Sequence, residues 1–341
     1  MFLVKRAVLS GAQRAVRSAA LPSPARWDDA ASTPSFAAAV SSAEFDITVL
    51  TADAHLAEPA ESDWYNRQIH REEALLIDGL RASGLRVARR SWSDPAFDWS
   101  CTRSAVLRST WDYFHRFAEF QAWLRRARRV TRLINDAALL DWNLDKHYLA
   151  DLDRVGVNVV PTHYAERGAT ETLASVMAQR GWPEIVFKPA VSGAARLTYR
   201  TDSACCADLE TLFARCVAEE PMLIQPFQPD VLANGELSLI VVGGRCTHAI
   251  RKRARPGDFR VQDDHGGTVH AHLAEPEEIS FAESAVARCP TRPAYARVDA
   301  VRDPAGRLCV MELELIEPEL FFRFHEPAAR ALADHIAGLL A

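Results

Sequence analysis

Short apolar runs alternate with amphipathic stretches along residues 44–135. Residues 45–50 form a β-rich run, and residues 68–82 carry apolar side chains at helical spacing before Gly84. The alternation continues with strand-like runs at 85–88 and 105–108 and a helical stretch at 117–128. Strands that alternate with helices indicate a parallel sheet with helical crossovers. We therefore expect this region to form a small Rossmann-like α/β domain.

Beyond this region the pattern shifts from alternating strands and helices to hairpins. Helical spacing covers residues 135–152, a stretch that includes Lys146. Gly243-Gly244 separates two β runs, and a turn at 303–306 separates two more, as in antiparallel hairpins. The predicted strands are 157–162, 185–189, 222–227, 236–242, 245–251, 295–301 and 308–315. This pattern is typical of an α+β fold.

These patterns divide the chain into three parts. We expect a flexible N-terminal extension at residues 1–43, the Rossmann-like domain at 44–135 and an α+β domain at 136–341. The last is expected to contain two subdomains, about 136–222 and 223–341. The extension is rich in Ala, Ser and Arg, which suits either a targeting segment or an upstream start ahead of the folded part.

The composition argues against several classes of protein. The 341 residues include 40 Lys and Arg against 45 Asp and Glu, and the formal net charge is −5. A mildly acidic chain has no general attraction for nucleic acid or anionic lipid, and no apolar run approaches the length that spans a bilayer. The seven Cys include no CxxC pair, which argues against a zinc site or disulfide framework and favours the reducing cytoplasm.

The most informative segment is a predicted C-terminal hairpin with charged residues on one face. Alternate residues of a strand point to the same side, so Glu312 shares a face with Glu314, and Arg297 shares one with Asp299. If the two strands pair, three carboxylates and one guanidinium converge. Such oxygen ligands suit Mg²⁺, which combines one or two carboxylates with phosphate oxygens. The alternative is an exposed sheet face with solvated charges.

Lysine is rare in this chain, with Lys5, Lys146, Lys188 and Lys252 among the 40 basic residues. A retained Lys indicates a position that needs a compact ammonium, which Arg cannot imitate. Lys188 ends a buried strand and precedes a loop of small residues, 190–195, whose backbone N–H groups can approach an anion. The loop matches neither the P-loop nor the dinucleotide fingerprint. Taken alone, Lys188 fits a surface lysine as well.

A further charged segment precedes Gly266-Gly267. Arg260 in this segment suggests a loop over a site, with an ordinary charged loop as the alternative. His265 is expected to be structural or to face the substrate rather than to act as a base. The GxSxG pattern does not occur, so a Ser nucleophile is not predicted.

In their order along the chain, these segments resemble the ATP-grasp superfamily of carboxylate–amine ligases. The order is Asp145-Lys146, Phe187-Lys188-Pro189, Leu223-Ile-Gln-Pro-Phe227, Gly235-Glu236, Arg260 before Gly266-Gly267, Arg297-Val-Asp299 and Glu312-Leu-Glu314. The resemblance covers residues 135–341 and implies the ATP-grasp fold, in which two α+β subdomains enclose ATP after a Rossmann-like domain. It is strongest to bacterial glutathione synthetases and the ligases that modify ribosomal protein S6. Residues 108–113 and 133–135 are similar to the subgroup of the cycloserine-forming cyclo-ligase.

The resemblance implies a role for each matching residue. Lys146 and Lys188 would hold the ATP phosphates, the backbone at Gln225 and Phe227 would contact adenine, and Glu236 would lie near the ribose. The remaining matches are Asp299, Glu312 and Glu314 as metal ligands, and Arg260 and Arg297 near the γ-phosphate and the acyl phosphate.

Two departures from the family pattern concern the metal site and the phosphate loop. The family usually has Asn at the position of Glu314, so this chain adds a negative charge at the metal. The loop after Lys188 has fewer glycines than usual, and Val191 is unusual at its tip.

The resemblance implies an ATP- and Mg²⁺-dependent ligase that forms a C–N bond through an acyl phosphate, with Mn²⁺ as an alternative metal. The expected partners are a small amino-acid-like carboxylate and an amine, without nucleic acid or membrane, and homodimers are common in this architecture. Residues 108–113 are expected to face the acceptor substrate. Two alternatives on the same fold stay open: a nucleotide-binding module without ligase activity, and a phosphotransferase.

Overall fold

Thirteen strands in three sheets organise the part of the chain that the computed structural model describes, residues 43–262 and 266–341. The extension predicted for residues 1–43 therefore lies outside the described residues, except for Ala43, and so does His265. All described residues belong to one compact unit. The boundaries expected after residues 135 and 222 stay predictions.

The first sheet is parallel, with the strand order β2-β1-β3-β4. Its strands are β1 (Ile47–Thr51), β2 (Val87–Ser91), β3 (Ser104–Ser109) and β4 (Arg132–Ile134), and its helices are α1 (Trp64–Ala82) and α2 (Phe117–Ala127). The Asp63 carboxylate caps α1 by accepting the Asn66 N–H at 3.0 Å, and Gly84 after the helix has a φ of 83°. The predicted parallel sheet with helical crossovers is confirmed.

Two short helices, α3 (Ala137–Asn143) and α4 (Tyr148–Arg154), follow the first sheet. Between them the Asp145 carboxylate accepts the His147 N–H at 3.0 Å. Such a side-chain bond competes with helical pairing, and Lys146 lies in the resulting turn. The prediction that Lys146 lies on a helix is therefore wrong.

The second sheet is small and antiparallel, with the order β5-β8-β6-β7. Its strands are β5 (His163–Ala165), β6 (Glu184–Pro189), β7 (Tyr199–Asp202) and β8 (Met222–Pro226), and its helices are α5 (Leu173–Arg180) and α6 (Cys206–Glu219). Phe187 of β6 packs on Phe213 of α6, with ring centroids 5.5 Å apart. This packing fixes β6, whose next residue is Lys188.

The strand predicted at residues 157–162 is wrong in position. The segment meets β13 at one isolated bridge, where the Val160 N–H donates to Val310 O at 3.0 Å and the Val310 N–H donates to Asn158 O at 2.9 Å. Pro161 has no N–H and cannot continue the ladder, and β5 begins at His163.

The third sheet is antiparallel, with the order β11-β10-β9-β12-β13. Its strands are β9 (Glu236–Val242), β10 (Arg245–Arg253), β11 (Thr268–His272), β12 (Tyr295–Arg302) and β13 (Leu308–Glu314). The helices of this region are α7 (Asp230–Ala233), α8 (Pro276–Val286) and α9 (Pro327–Leu340). Both predicted hairpins, β9–β10 and β12–β13, are confirmed.

The C-terminal helix α9 packs against α1, so the end of the chain covers the first sheet. A Cβ built at Gly79 would lie 2.9 Å from the Cβ of Ala333, which shows how close the two helices are. The buried Tyr295 hydroxyl lies 3.1 Å from Leu107 O and 2.8 Å from Ile316 O. One hydrophobic core therefore joins the first and third sheets. None of the described helices is long and apolar enough to cross a bilayer.

Candidate active site

The acidic residues of the third sheet face one cleft because the antiparallel register aligns them. β12 and β13 place Arg297 opposite Glu314 and Asp299 opposite Glu312. All four side chains line the same cavity. The convergence expected from strand alternation is therefore present, and the roles of these residues stay predictions.

Glu312 lies between the two lysines that are predicted to hold phosphates. Its Oε1 is 3.2 Å from Lys146 Nζ, and its Oε2 is 3.7 Å from Lys188 Nζ. The Lys146 ammonium also donates to Ser192 O in the loop after β6. Burial alone would raise the pKa of Glu312, but the two ammonium groups lower it below its ordinary value. Burial lowers the pKa of Lys188, and Glu312 only partly offsets this.

Asp299 is the centre of a second charged group. Arg297 Nη2 donates to its Oδ2 at 2.9 Å, Lys252 Nζ lies 3.4 Å from the same oxygen, and the Ser238 hydroxyl also donates to the carboxylate. Lys252 is also 2.5 Å from Glu236 Oε1. Burial would raise the pKa of Asp299, but Arg297 and Lys252 lower it well below its usual range. Asp299 is therefore held ionised.

The negative charges of Glu314 and Glu236 are less well compensated by nearby cations than the charge of Asp299. Burial raises the pKa of Glu314 to about 7, and the carboxylates of Asp299 and Glu312 act in the same direction. Burial also raises the pKa of Glu236, although Lys252 opposes this. An added cation would stabilise both ionised carboxylates.

The carboxylates fit Mg²⁺ only when further ligands complete the site. Among the described residues, no group of three or more His, Cys, Asp or Glu side chains could hold a metal ion. Asp299 contacts both Arg297 and Lys252, and Glu314 also contacts Arg297. Glu312 and Glu314 share one face of β13, where a metal ion would replace some of their present cation partners. Mg²⁺ commonly binds one or two carboxylates and takes its other ligands from water and phosphate oxygens. The donor set therefore suits a metal that arrives with a nucleotide.

The loop after β6 adopts left-handed backbone conformations. Ala194 and Ala195 have φ angles of 48° and 53°, a region that glycine adopts more readily. A Cβ built at Gly193 would lie 2.7 Å from the Phe114 ring. Gly193 is therefore required for the loop to approach the first domain, while the alanines take the conformation without the family's extra glycines.

A cleft that encloses about 940 Å³, including space open to solvent, lies between the second and third sheets. Gln225 and Phe227, predicted to contact adenine, line it together with Lys188. The Phe227 N–H donates to Glu184 O at 3.0 Å and is therefore not available to a base in this structure. The Arg200 guanidinium lies 3.7 Å above the Phe227 ring and fixes it.

The two predicted catalytic arginines line different cavities. Arg260 lines the cavity with Phe227, and its Nη2 donates to Asp258 Oδ2 at 2.8 Å. Arg297 lines a second cavity with Asp299. Glu236, predicted near the ribose, lines both.

The second cavity, of about 1080 Å³, adjoins the first because Lys146, Glu312 and Glu314 line both. Trp111 and Tyr113 from the first domain form part of its wall. The adjoining cavities give room for a nucleotide and a second ligand that meet at the Lys146–Glu312 pair.

Sequence reasoning did not assign Lys252, Ser238 or Glu317 to the site. The scarcity of lysine was the signal that pointed to Lys252. In the β9–β10 register Lys252 lies opposite Glu236, with which it forms an ion pair. Ser238 follows Glu236 by two residues on the same strand face. Glu317 lies after β13, where no periodicity indicates which way a side chain points.

The chain is similar to D-cycloserine synthetase DcsG in both sequence and structure. A family described as the N-terminal domain of D-cycloserine synthetase DcsG matches residues 47–135. The cycloserine biosynthesis protein DcsG of Streptomyces lavendulae is 32% identical over 281 residues, which are 77% of this chain and 91% of that protein. The crystal structure of D-cycloserine synthetase DcsG matches with a TM-score of 0.75 at 31% identity. The match covers 86% of this chain and 99% of the chain in that crystal structure.

More distant solved structures share the fold. D-alanine–D-alanine ligase from Bacillus anthracis has a TM-score of 0.59 at 15% identity, covering 86% of this chain and 97% of its own. A RimK domain ATP-grasp protein from Sphaerobacter thermophilus has a TM-score of 0.58 at 17% identity. That match covers 86% of this chain and 99% of the other chain. The predicted α+β ATP-grasp fold with a Rossmann-like first domain is confirmed.

Proposed function

The chain belongs to the ATP-grasp ligases, in the family of D-cycloserine synthetase DcsG, and on this premise we propose that it uses ATP and Mg²⁺ to form a C–N bond on a small amino-acid-like carboxylate through an acyl phosphate. The observation that carries the proposal is the position of Glu312, within 3.2 Å of Lys146 and 3.7 Å of Lys188 where two cavities meet. This arrangement suits phosphoryl transfer from one ligand to another.

In the first step a carboxylate oxygen of the substrate attacks the γ-phosphorus of ATP, and the bond to the bridging oxygen of ADP breaks. Negative charge spreads over the phosphoryl oxygens, so fixed positive groups stabilise the transition state. We assign Lys146 and Lys188 to the ATP phosphates and Arg260 to the γ-phosphate. Arg297, in the second cavity, is assigned to the acyl phosphate.

Mg²⁺ would supply positive charge that offsets the negative charge of the ATP phosphates. Glu312 and Glu314 would hold it, with Asp299 as the third predicted ligand. A triphosphate offers Lys146 and Lys188 new anionic partners, which frees the Glu312 carboxylate for the metal.

In the second step a nitrogen attacks the acyl carbon, and phosphate leaves. Cycloserine is a five-membered ring closed by a bond between its own carboxyl carbon and a nitrogen. By analogy with the relative's name, we assign to this chain an intramolecular reaction, in which one amino-acid derivative provides both groups. The second cavity, bounded by Trp111 and Tyr113, holds this substrate in the proposal.

The proposal is tested by following ADP release from Mg·ATP with a panel of amino-acid derivatives, with and without hydroxylamine. We expect release that depends on the carboxylic acid, and a hydroxamate when hydroxylamine intercepts the acyl phosphate. A stable phosphorylated product without hydroxamate would identify a phosphotransferase. ATP binding without ADP release across the panel would identify a nucleotide-binding module.

A further inference from the structure

Two carboxylates that the proposed chemistry does not use, Glu317 and Glu319, line the second cavity, and Glu319 is paired with Arg323. We infer that Glu317 binds a primary ammonium group of the substrate, one that is recognised and not joined. This inference rests on the proposed function and assigns the residue that recognises the amino group of its amino-acid-like substrate.

Glu317 differs from the neighbouring acidic residues because its carboxylate has no partner in the described part of the chain. Glu312 is paired with Lys146, and Glu314 is paired with Arg297. Within the residues that the structure describes, the Glu317 side chain makes no hydrogen bond and no ion pair. It lines the cavity, so its oxygens are available to a ligand.

The charges around Glu317 favour a positively charged ligand. Burial raises the pKa of Glu317 well above its usual range, and the carboxylate of Glu314 acts in the same direction. A cation in contact with Glu317 would oppose both effects, whereas a neutral or anionic group would not. Lys146 and Arg297 lower the pKa of Glu317 only in part, and both are paired with other carboxylates. A positively charged ligand in the cavity would add to this compensation.

Side chains of the first domain fix the segment that carries Glu317. The Trp111 indole N–H donates to Glu317 O at 2.9 Å, and Arg108 Nη2 donates to Pro318 O at 2.8 Å. The buried Glu72 carboxylate accepts a backbone N–H two residues beyond Pro318, also at 2.8 Å. A backbone held from three sides reduces the entropy lost when the carboxylate binds a ligand.

The same cavity supplies aromatic surfaces, from Trp111 and Tyr113. Aromatic rings attract ammonium groups, and together with a carboxylate they suit a primary amine. The alternative cation is a metal ion. Among the described residues Glu317 belongs to no group of three metal-ligating side chains, which favours the organic ammonium.

The test compares wild type with Glu317→Gln, which keeps the shape and removes the charge. Glu61→Gln removes the same charge from an exposed position in the first domain and is the matched control. The probes are both enantiomers of serine and alanine, each compared with the acid that lacks the amino group, 3-hydroxypropionate or propionate. ADP release and hydroxamate are measured with hydroxylamine as the trapping amine.

We expect wild type and Glu61→Gln to prefer the amino acids. Glu317→Gln should lower kcat/KM for the amino acid about 10–100-fold, the effect of one hydrogen bond to a charged group. It should leave the values for the acid without the amino group, and the dependence on ATP and Mg²⁺, unchanged.

Equal losses on both acids, or an unchanged preference for the amino acid, would overturn the inference while leaving the ligase proposal intact. An altered Mg²⁺ dependence in Glu317→Gln would overturn it in favour of a metal ligand. Absence of ADP release by wild type with every probe would count against the proposed function, and the inference would fail with it.

Discussion

Lys188 holds an ammonium group that the folded protein only partly compensates. Its side chain is 14% exposed, and its partner Glu312 lies 3.7 Å away and is shared with Lys146. Burial lowers the pKa of Lys188, so ionising it in the folded protein costs free energy. A charge kept at such a position contributes more to ligand binding than to the stability of the folded protein.

We therefore expect Lys188→Met to weaken binding of a non-hydrolysable ATP analogue with Mg²⁺ by about 10–100-fold, the effect of one charge-assisted contact. The free energy of unfolding should change little, because the buried charge and its desolvation are removed together. Isothermal calorimetry and urea unfolding measure the two quantities. Arg245→Met, at a side chain that is 81% exposed, is the control for loss of one positive charge. Unchanged nucleotide affinity in Lys188→Met would contradict the phosphate role.

Among the elements, β13 carries Glu312 and Glu314 although it is the edge strand of its sheet. Edge strands leave backbone groups unpaired. Here the backbone of residues 158 and 160 pairs with Val310, and side chains pair with the residues of β13 nearer the site. Asn143 Nδ2 donates to Leu313 O at 2.8 Å, and Asn143 Oδ1 accepts the Leu315 N–H at 2.8 Å. Asn143 ends helix α3, directly before the turn that contains Lys146. The same contact thus completes the strand and sets Lys146 beside Glu312.

Asn143→Leu should lower the free energy of unfolding by about 2–4 kcal/mol, because two buried backbone groups lose their partner. It should also reduce the rate of ADP release, since β13 and the Lys146 turn are no longer tied. Urea unfolding and the ADP assay check the two effects. Asn158→Leu is the control, because Asn158 makes its 2.8 Å bond with Leu308 O at the other end of β13. Similar rate losses in both variants would contradict a specific role for Asn143.

At the scale of the whole molecule, the first sheet is tied to the C-terminal helix through a buried carboxylate. Asp46 accepts Arg86 Nε at 3.0 Å and Arg103 Nη1 at 3.3 Å. Arg103 also donates to Leu340 O at the end of α9, at 2.8 Å. Hydrogen bonds from Arg86 lower the pKa of Asp46 to about 2, against the opposing effect of burial.

Because the folded pKa of Asp46 lies below its unfolded value, its stabilising effect is present above pH 4 and is lost as the pH falls toward 2. Asp46→Asn should therefore lower the free energy of unfolding by about 1–2 kcal/mol at pH 6, a value reduced for the exposure of Arg86. The difference from wild type should be clearly smaller at pH 3. Urea titrations at the two pH values test this, with the exposed Asp78→Asn as control. A difference that does not depend on pH would show that the carboxylate charge is not responsible.

The sequence by itself determined the two kinds of sheet, the hairpins and the common face of Glu312 and Glu314, because strand alternation and turn residues act over a few neighbours. The order of short motifs also identified the family. Only the tertiary structure decided that Lys146 lies in a turn, that Lys252 joins the Asp299 group, and that Glu317 has no partner among the described residues. These features depend on packing and burial between segments far apart in the chain, and no local pattern encodes the distance between two such side chains.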